Sequence, residues 1–341
     1  MNIYKEVLGK QNFSFLFKKS ILITGASGFL GMWLVRAINY LNERSNLRIK
    51  IIVLLRSKNK RKFFKIFKAT KIEFIEGSIT NFVFVNKKID YVVHLAAETS
   101  EKKNKDYIAV TNTIINGTIR LIKYCEKLKI SSITYLSSGG IYGKNCKSKK
   151  GWHENDRSSP NLYDKVATYG LSKKCSENIL IESYKKLNYL KTLNIFRAFS
   201  FGGSYFNDNN HFAYNNFIKN RILKKDIFLK SNGDSIRNYM HPLDLACWIL
   251  LSKKLSKVNI INTGRNENHS ISKLANKIAK IEFNDLEKIK VKKGNIEDKE
   301  NYIPNLSTAK NLGLDAKISL EMQIEDSLEY YNDRKFKSSS V

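Results

Sequence analysis

Tyr169 and Lys173 stand four residues apart in a segment of helical periodicity, so they share one helix face. A phenol is a poor base near neutral pH. An adjacent ammonium favours the phenolate and lowers its pKa, as would a positively charged nicotinamide ring. Ser138, at the end of a β-branched run, can hydrogen-bond the same substrate oxygen and polarise it. Together the three side chains could take a proton from a sugar or alcohol hydroxyl while hydride leaves the carbon for a cofactor. Tyr-x-x-x-Lys alone is also what an exposed helix face offers. Its order behind a glycine turn and behind Ser137-Ser138-Gly139-Gly140 sets it apart.

These groups need rigid elements to hold them. Ile21-Leu22-Ile23-Thr24 reads as a buried strand that breaks at Gly25, Gly28 and Gly31 into an amphipathic segment carrying Phe29, Leu30, Trp33, Leu34, Ala37, Ile38 and Leu41. Strand, tight turn and helix make an anion site from backbone N–H groups at the helix N-terminus. Gly25 makes the turn, Gly28 admits a pyrophosphate to the backbone, and Gly31 permits close packing. Further strands are expected at 49–55, 72–75, 91–97, 132–136 and 193–197, alternating with helical patterns. Such alternation predicts a doubly wound parallel α/β sheet covered on both faces, with ligands outside the carboxyl ends of its strands.

The alternation weakens after Gly203, where Asn, Lys and aromatic residues dominate. We expect a dinucleotide-binding Rossmann domain over 1–199, to which 241–262 return. A smaller mixed α/β substrate domain is expected over 200–240 and 263–335, followed by a frayed tail at 336–341. Residues 1–18 read as a short helix packing on the first strand.

With 60 Lys+Arg against 31 Asp+Glu, the 341-residue chain carries a net charge of +29. The lysines are spread along the chain, which argues for solvated faces and against a dedicated nucleic-acid patch. No basic amphipathic helix suggests a membrane surface. Cys125, Cys146, Cys175 and Cys247 show no metal-ligand or disulfide spacing, so no metal is expected. No apolar run reaches membrane-spanning length and no signal-peptide order opens the chain, so a cytoplasmic protein is expected.

Taken with Thr24–Gly31, His94–Thr99, Ser137–Gly143 and Arg237–Asp244, the Tyr169/Lys173 pair resembles the extended short-chain dehydrogenase/reductases of the NAD-dependent epimerase/dehydratase family acting on nucleotide sugars. The likeness runs from about Ser20 to about Tyr331. Within Arg197–Trp248 it is to members from surface-polysaccharide gene clusters. It implies that Ser138, Tyr169 and Lys173 are the catalytic triad. It also implies that Gly25, Ser27, Gly28, Phe29 and Leu30 hold a pyrophosphate, that Leu95, Ala96 and Ala97 line the cofactor, that Ser78 and Ile79 lie near its adenine, and that Tyr169 and Lys173 contact it. Ser200 and Arg237, with Ser138, would touch the substrate, Arg237 reaching the diphosphate as a bidentate fork. His94, His241 and Asp244 read as packing residues. A homodimer built on a helix pair is expected.

Departures from the family pattern sharpen this. Dehydratases of the family place Asp-Glu after the catalytic hydroxyl, where this chain has Gly139-Gly140. Arg56, with Ser57 and Lys58, replaces the acid that holds adenosine ribose hydroxyls in NAD-preferring relatives. Arginine there accommodates a 2′-phosphate and favours NADP over NAD, although it could equally stack on adenine. The expected reaction is hydride and proton exchange at C4 of a nucleoside-diphosphate sugar, by a 4-ketosugar reductase or a 4-epimerase for polysaccharide precursors. The alternatives are a dehydratase or decarboxylase of the same family, or a non-catalytic dinucleotide- or RNA-binding protein. Asn215, Asn216 and Arg221 are candidates for sugar specificity.

Overall fold

A computed structural model describes residues 2–97, 106–144, 146, 148–164, 167–205, 212–283, 288–297 and 299–338, the stretch 333–338 by backbone alone. The chain divides into two compact units, the first formed by Met1–Gly143, Arg157–Ala198 and Leu243–Asn262, the second by Lys144–Asp156, Phe199–Pro242 and Thr263–Val341.

Seven parallel strands form the first unit's sheet: β1 (Ser20–Thr24), β2 (Lys50–Leu55), β3 (Ile72–Glu76), β4 (Tyr91–His94), β5 (Ser132–Ser138), β6 (Thr192–Ala198) and β7 (Lys257–Asn262). Their spatial order is 3-2-1-4-5-6-7, so the winding reverses between β1 and β4. That reversal opens the crevice in which doubly wound sheets bind ligands. The helices used below are α1 (Phe29–Ser45), α2 (Gly117–Lys127), α3 (Ala167–Lys186) and α4 (Pro242–Leu251). Alternate strand positions, among them Leu22, Ile52, Val92, Ile133 and Ile195, pack with Leu121, Ile122, Tyr124 and Leu180 of α2 and α3. The intervening Ile21, Ile23, Ile51 and Val53 are equally buried, as a sheet covered on both faces requires.

Three details depart from expectation. The N-terminal helix Ile3–Leu8 stacks Tyr4 on Trp33 and Tyr40 of α1, with ring centroids 6.0 and 5.3 Å apart, so it rests on a helix rather than on the first strand. β4 ends at His94, three residues early, although Leu95 N still donates to the Thr24 carbonyl (3.1 Å). The helix leading into α2 carries a wide π turn at Asn112–Asn116. Its Ile114 carbonyl accepts the hydroxyls of Thr118 (2.6 Å) and of Ser176 on α3 (3.2 Å).

In the second unit, strand Ile236–Arg237 lies between His269–Ser270, antiparallel, and Asn301–Tyr302, parallel. Ser200–Phe201 pairs with Tyr239–Met240. The segment 144–156, expected in the first domain, belongs here. Cys146 N donates to the Asn301 carbonyl (3.3 Å) and Trp152 N to the Ile303 carbonyl (2.9 Å). Gly151 lies so close beneath Pro304 that a Cβ would stand 2.5 Å from its carbonyl carbon. The final helix runs on from Leu320 to Ser338, so the chain is helical where fraying from 336 was expected; 339–341 lie outside the described residues.

Candidate active site

The glycine turn is built by exclusion of side chains. Gly25 has φ +74°, and a Cβ there would meet Ala96 N at 2.7 Å and the Leu95 carbonyl carbon at 2.8 Å. The turn therefore lies against the chain leaving β4. Gly31, in the first turn of α1, faces Gly25 and Ala26 as closely. Gly28 is the N-cap of α1, whose first turn holds neither a side-chain cap nor an acid. A 17-residue helix thus presents its N-terminus at the carboxyl end of β1, an arrangement that fits a pyrophosphate.

A directed hydrogen-bond chain fixes the floor of this crevice. Thr118 gives its hydroxyl proton to Ile114, so it accepts from His94 Nε2 (3.3 Å), which must carry the ring proton. His94 Nδ1 then accepts from Thr24 Oγ1 (2.7 Å), which in turn accepts from Ala96 N (3.3 Å). Burial, with the Lys173 charge adding to it, pulls the imidazole down to about 3, so His94 is neutral. It ties β1, β4 and α2 together, and needs no role in proton transfer.

Ser138 ends β5, its Oγ accepts from Gly140 N (3.0 Å), and its hydroxyl lies near enough to the Tyr169 phenol to favour the ionised form. Gly170 brings α3 close to this turn: a Cβ there would stand 2.4 Å from the Gly140 carbonyl oxygen. Lys173 is buried, donates from Nζ to the Leu136 carbonyl (2.6 Å), and lies 6.0 Å from the centre of the Tyr169 ring. Ser138, Tyr169 and Lys173 are thus one cluster. Burial pushes the phenol up to about 12 against the Ser138 hydroxyl, and pulls the ammonium down to about 7 against the Glu177 charge. The expected lowering of the phenol by its neighbour does not appear, because burial disfavours both charged forms.

Residues 21–264 match the model of the NAD dependent epimerase/dehydratase family. The chain belongs to that family. It is an extended short-chain dehydrogenase/reductase, an enzyme of the nicotinamide-dependent kind. GDP-6-deoxy-D-talose 4-dehydrogenase of Aggregatibacter actinomycetemcomitans is 27% identical over 78% of this chain and 81% of its own length. UDP-glucose 4-epimerase of Thermotoga maritima, solved with UDP-glucose, shares the fold with a TM-score of 0.75 at 21% identity, over 93% of this chain and 99% of that one. So does dTDP-glucose 4,6-dehydratase of Bacillus anthracis, solved with NAD, with a TM-score of 0.74 at 19% identity, over 93% and 98%.

Within the family fold, the end of β2 carries an exposed Arg56. The 3-10 turn Lys58–Phe64 then folds back, so that Lys60 Nζ reaches Ser27 Oγ at 3.5 Å. Lys60 escaped the sequence reading because nothing in its spacing announces that return. Glu76, at the end of β3 beside Leu55, is ion-paired with Lys58 (3.5 Å) and with Arg61. Ser78 hydrogen-bonds Thr80 (3.1 Å) and Asn81 (3.1 Å) in the turn after β3. Ile79 is buried, with its branch methyl against Gly117 of α2. Leu95, Ala96 and Ala97 follow β4 beside the glycine turn, and Phe29 and Leu30 open α1.

In the second unit, Arg237 is half-buried and already engaged. Its Nη2 donates to Glu300 Oε2 (2.7 Å), its Nη1 to the carbonyls of Ile236 (3.0 Å) and Glu300 (3.1 Å), and its guanidinium lies 5.8 Å from the Tyr302 ring centre. Ser200 is half-buried in its two-residue strand. Arg221 is fully buried and donates to the Ile281 carbonyl (3.1 Å), which makes it a packing residue rather than a sugar contact. Asn215 is buried as well, whereas Asn216 is exposed. His241 is buried against Asp326 (3.3 Å). Among the described residues no cluster of three or more His, Cys, Asp or Glu could hold a metal, and no helix is long and apolar enough to cross a membrane.

Proposed function

We propose that this enzyme exchanges hydride and a proton at C4 of a nucleoside-diphosphate sugar, as a 4-ketosugar reductase or a 4-epimerase, with the reductase favoured. Its setting would be the supply of sugars for surface polysaccharide. The observation that carries the reading is the Ser138–Tyr169–Lys173 cluster, followed directly by Gly139-Gly140. Tyr169 passes a proton to or from O4, Ser138 polarises the same oxygen, and Lys173 holds positive charge beneath the phenol. A nicotinamide cofactor, when bound, supplies or accepts the hydride at C4. The glycine turn, Ser27 and the N-terminus of α1 would hold its pyrophosphate. Arg56 and Lys60 would face an adenosine 2′-phosphate, which supports NADP over NAD.

Elimination of water from the sugar needs further proton-transfer groups, and no carboxylate follows Ser138, which speaks against a dehydratase. Arg237 would meet the substrate diphosphate by exchanging Glu300 for it. The test is to incubate the protein with NADPH or NADH and 4-keto nucleotide sugars, and separately with NDP-sugars alone. Oxidation of NADPH with the keto sugar supports the reductase; interconversion of 4-epimers without net cofactor use supports the epimerase. Tyr169→Phe is expected to abolish turnover while leaving dinucleotide affinity within about threefold, since only a hydroxyl is lost. An undiminished rate in that variant would overturn the assignment.

A further inference from the structure

Glu177 and Arg197 form a buried ion pair that the proposed reaction does not use. Arg197 Nη2 donates to Glu177 Oε2 (2.7 Å), and its Nε approaches both carboxylate oxygens (3.1 and 3.2 Å). Its Nη1 donates to Tyr142 Oη (2.7 Å), which donates to Asn262 Oδ1 (2.9 Å). Both charged residues are more than nine-tenths buried. Such a pair is costly to desolvate and is weak evidence for stability, so its position is the more informative feature.

That position is next to the reacting groups. Glu177 lies one helical turn beyond Lys173 on α3, and Arg197 sits on β6 opposite Ser137, one residue before the partner of Ser138. Among the described residues, the other groups facing Lys173 carry no negative charge. β5 offers the Leu136 carbonyl and the Tyr135 ring, 4.6 Å from Nζ; α3 offers the Tyr169 ring; β4 contributes the neutral His94. The carboxylate of Glu177 is the charge that opposes the desolvation of Lys173.

We propose that Glu177, clamped by Arg197, is a positioning residue that holds Lys173 in its ammonium form beneath the Tyr169 phenol. This rests on the reading of Tyr169 and Lys173 as the acid–base pair. The two ends of the clamp then act with opposite sign. Removing the Glu177 charge lets burial neutralise Lys173 at lower pH; removing the Arg197 charge strengthens the hold of Glu177 and moves the titration up.

The test follows the affinity of NADP and NAD, and the rate with a 4-keto nucleotide sugar, from pH 5 to pH 10. The basic limb assigned to Lys173 is expected to move down by about one pH unit in Glu177→Gln and up in Arg197→Gln. A purely structural pair would move both limbs the same way or neither, and that result would overturn the proposal. Where a single variant fails to fold, Glu177→Leu/Arg197→Leu, which removes both members of the pair together, carries the test: its limb is expected to move down, and an unmoved limb overturns the inference. If the unaltered protein binds neither dinucleotide, it is the reading of the site that fails. If it binds one and the limbs stay fixed, only the role of Glu177 fails.

Discussion

Gly31 and Gly25 touch across the first turn of α1: a Cβ on Gly31 would stand 2.3 Å from the Gly25 carbonyl oxygen and 2.6 Å from Ala26 Cα. Both obstacles are backbone, so a side chain could be admitted only by moving the turn. Gly31→Ala is therefore expected to destabilise the protein by about 1–3 kcal/mol and to weaken nicotinamide dinucleotide binding at least about tenfold. Thermal unfolding and a dinucleotide titration would check this. Unchanged affinity would mean that the turn does not hold the pyrophosphate.

Lys60 reaches Ser27 from the turn that follows Arg56, while Glu76 is ion-paired with Lys58 and Arg61. Each charge-assisted hydrogen bond to a phosphate contributes about 1.5–3 kcal/mol. Arg56→Ala and Lys60→Ala should each lower NADPH affinity by at least about tenfold with little effect on NADH. Equal losses for both cofactors would assign the two residues to adenine or pyrophosphate instead.

Lys253 is buried, donates to Thr134 Oγ1 and lies 5.6 Å from the Tyr91 ring centre; burial pulls it down from its ordinary 10.5 to about 7. The unfolded chain takes up this proton as pH falls below 10.5, and the folded protein resists until about 7. Stability is thus lost between those values and is flat below them. Lys253→Met should abolish that slope and raise the unfolding temperature at pH 7 by about 2–4 °C or more. A lower unfolding temperature across the range would show that the ammonium stabilises the fold.

Glu73 on β3 receives Lys50 (2.6 Å) and Lys87 (2.8 Å), whose hydrogen bonds hold its carboxyl down at about 2. A folded pKa below the unfolded one gives stability that is present above about 4.5 and lost as pH falls towards 2. Because all three side chains are partly solvated, the gain is about 1 kcal/mol. Glu73→Gln should cost that amount at pH 7 and nothing near pH 2, as acid titrations followed by circular dichroism would show.

Features that depend on neighbours along the chain are legible in the sequence alone. Three glycines between an apolar strand and an amphipathic helix define a turn, and Tyr169 and Lys173 share a face because a helix repeats every 3.6 residues. Alternating β-branched runs and helical patterns define a parallel sheet because a strand buried on both faces needs apolar residues at every position. Tertiary structure decided what depends on residues brought together from afar. The π turn at Asn112–Asn116 forms where Thr118 and Ser176 can satisfy the Ile114 carbonyl, and Ser176 lies on another helix. Lys60 gains a place beside Ser27 only when the turn after β2 folds back. Residues 144–156 join the second unit through backbone hydrogen bonds to 301 and 303. The charge around Lys173 is likewise tertiary: burial pulls its titration down, Glu177 opposes that, and β6 places Arg197 against Glu177.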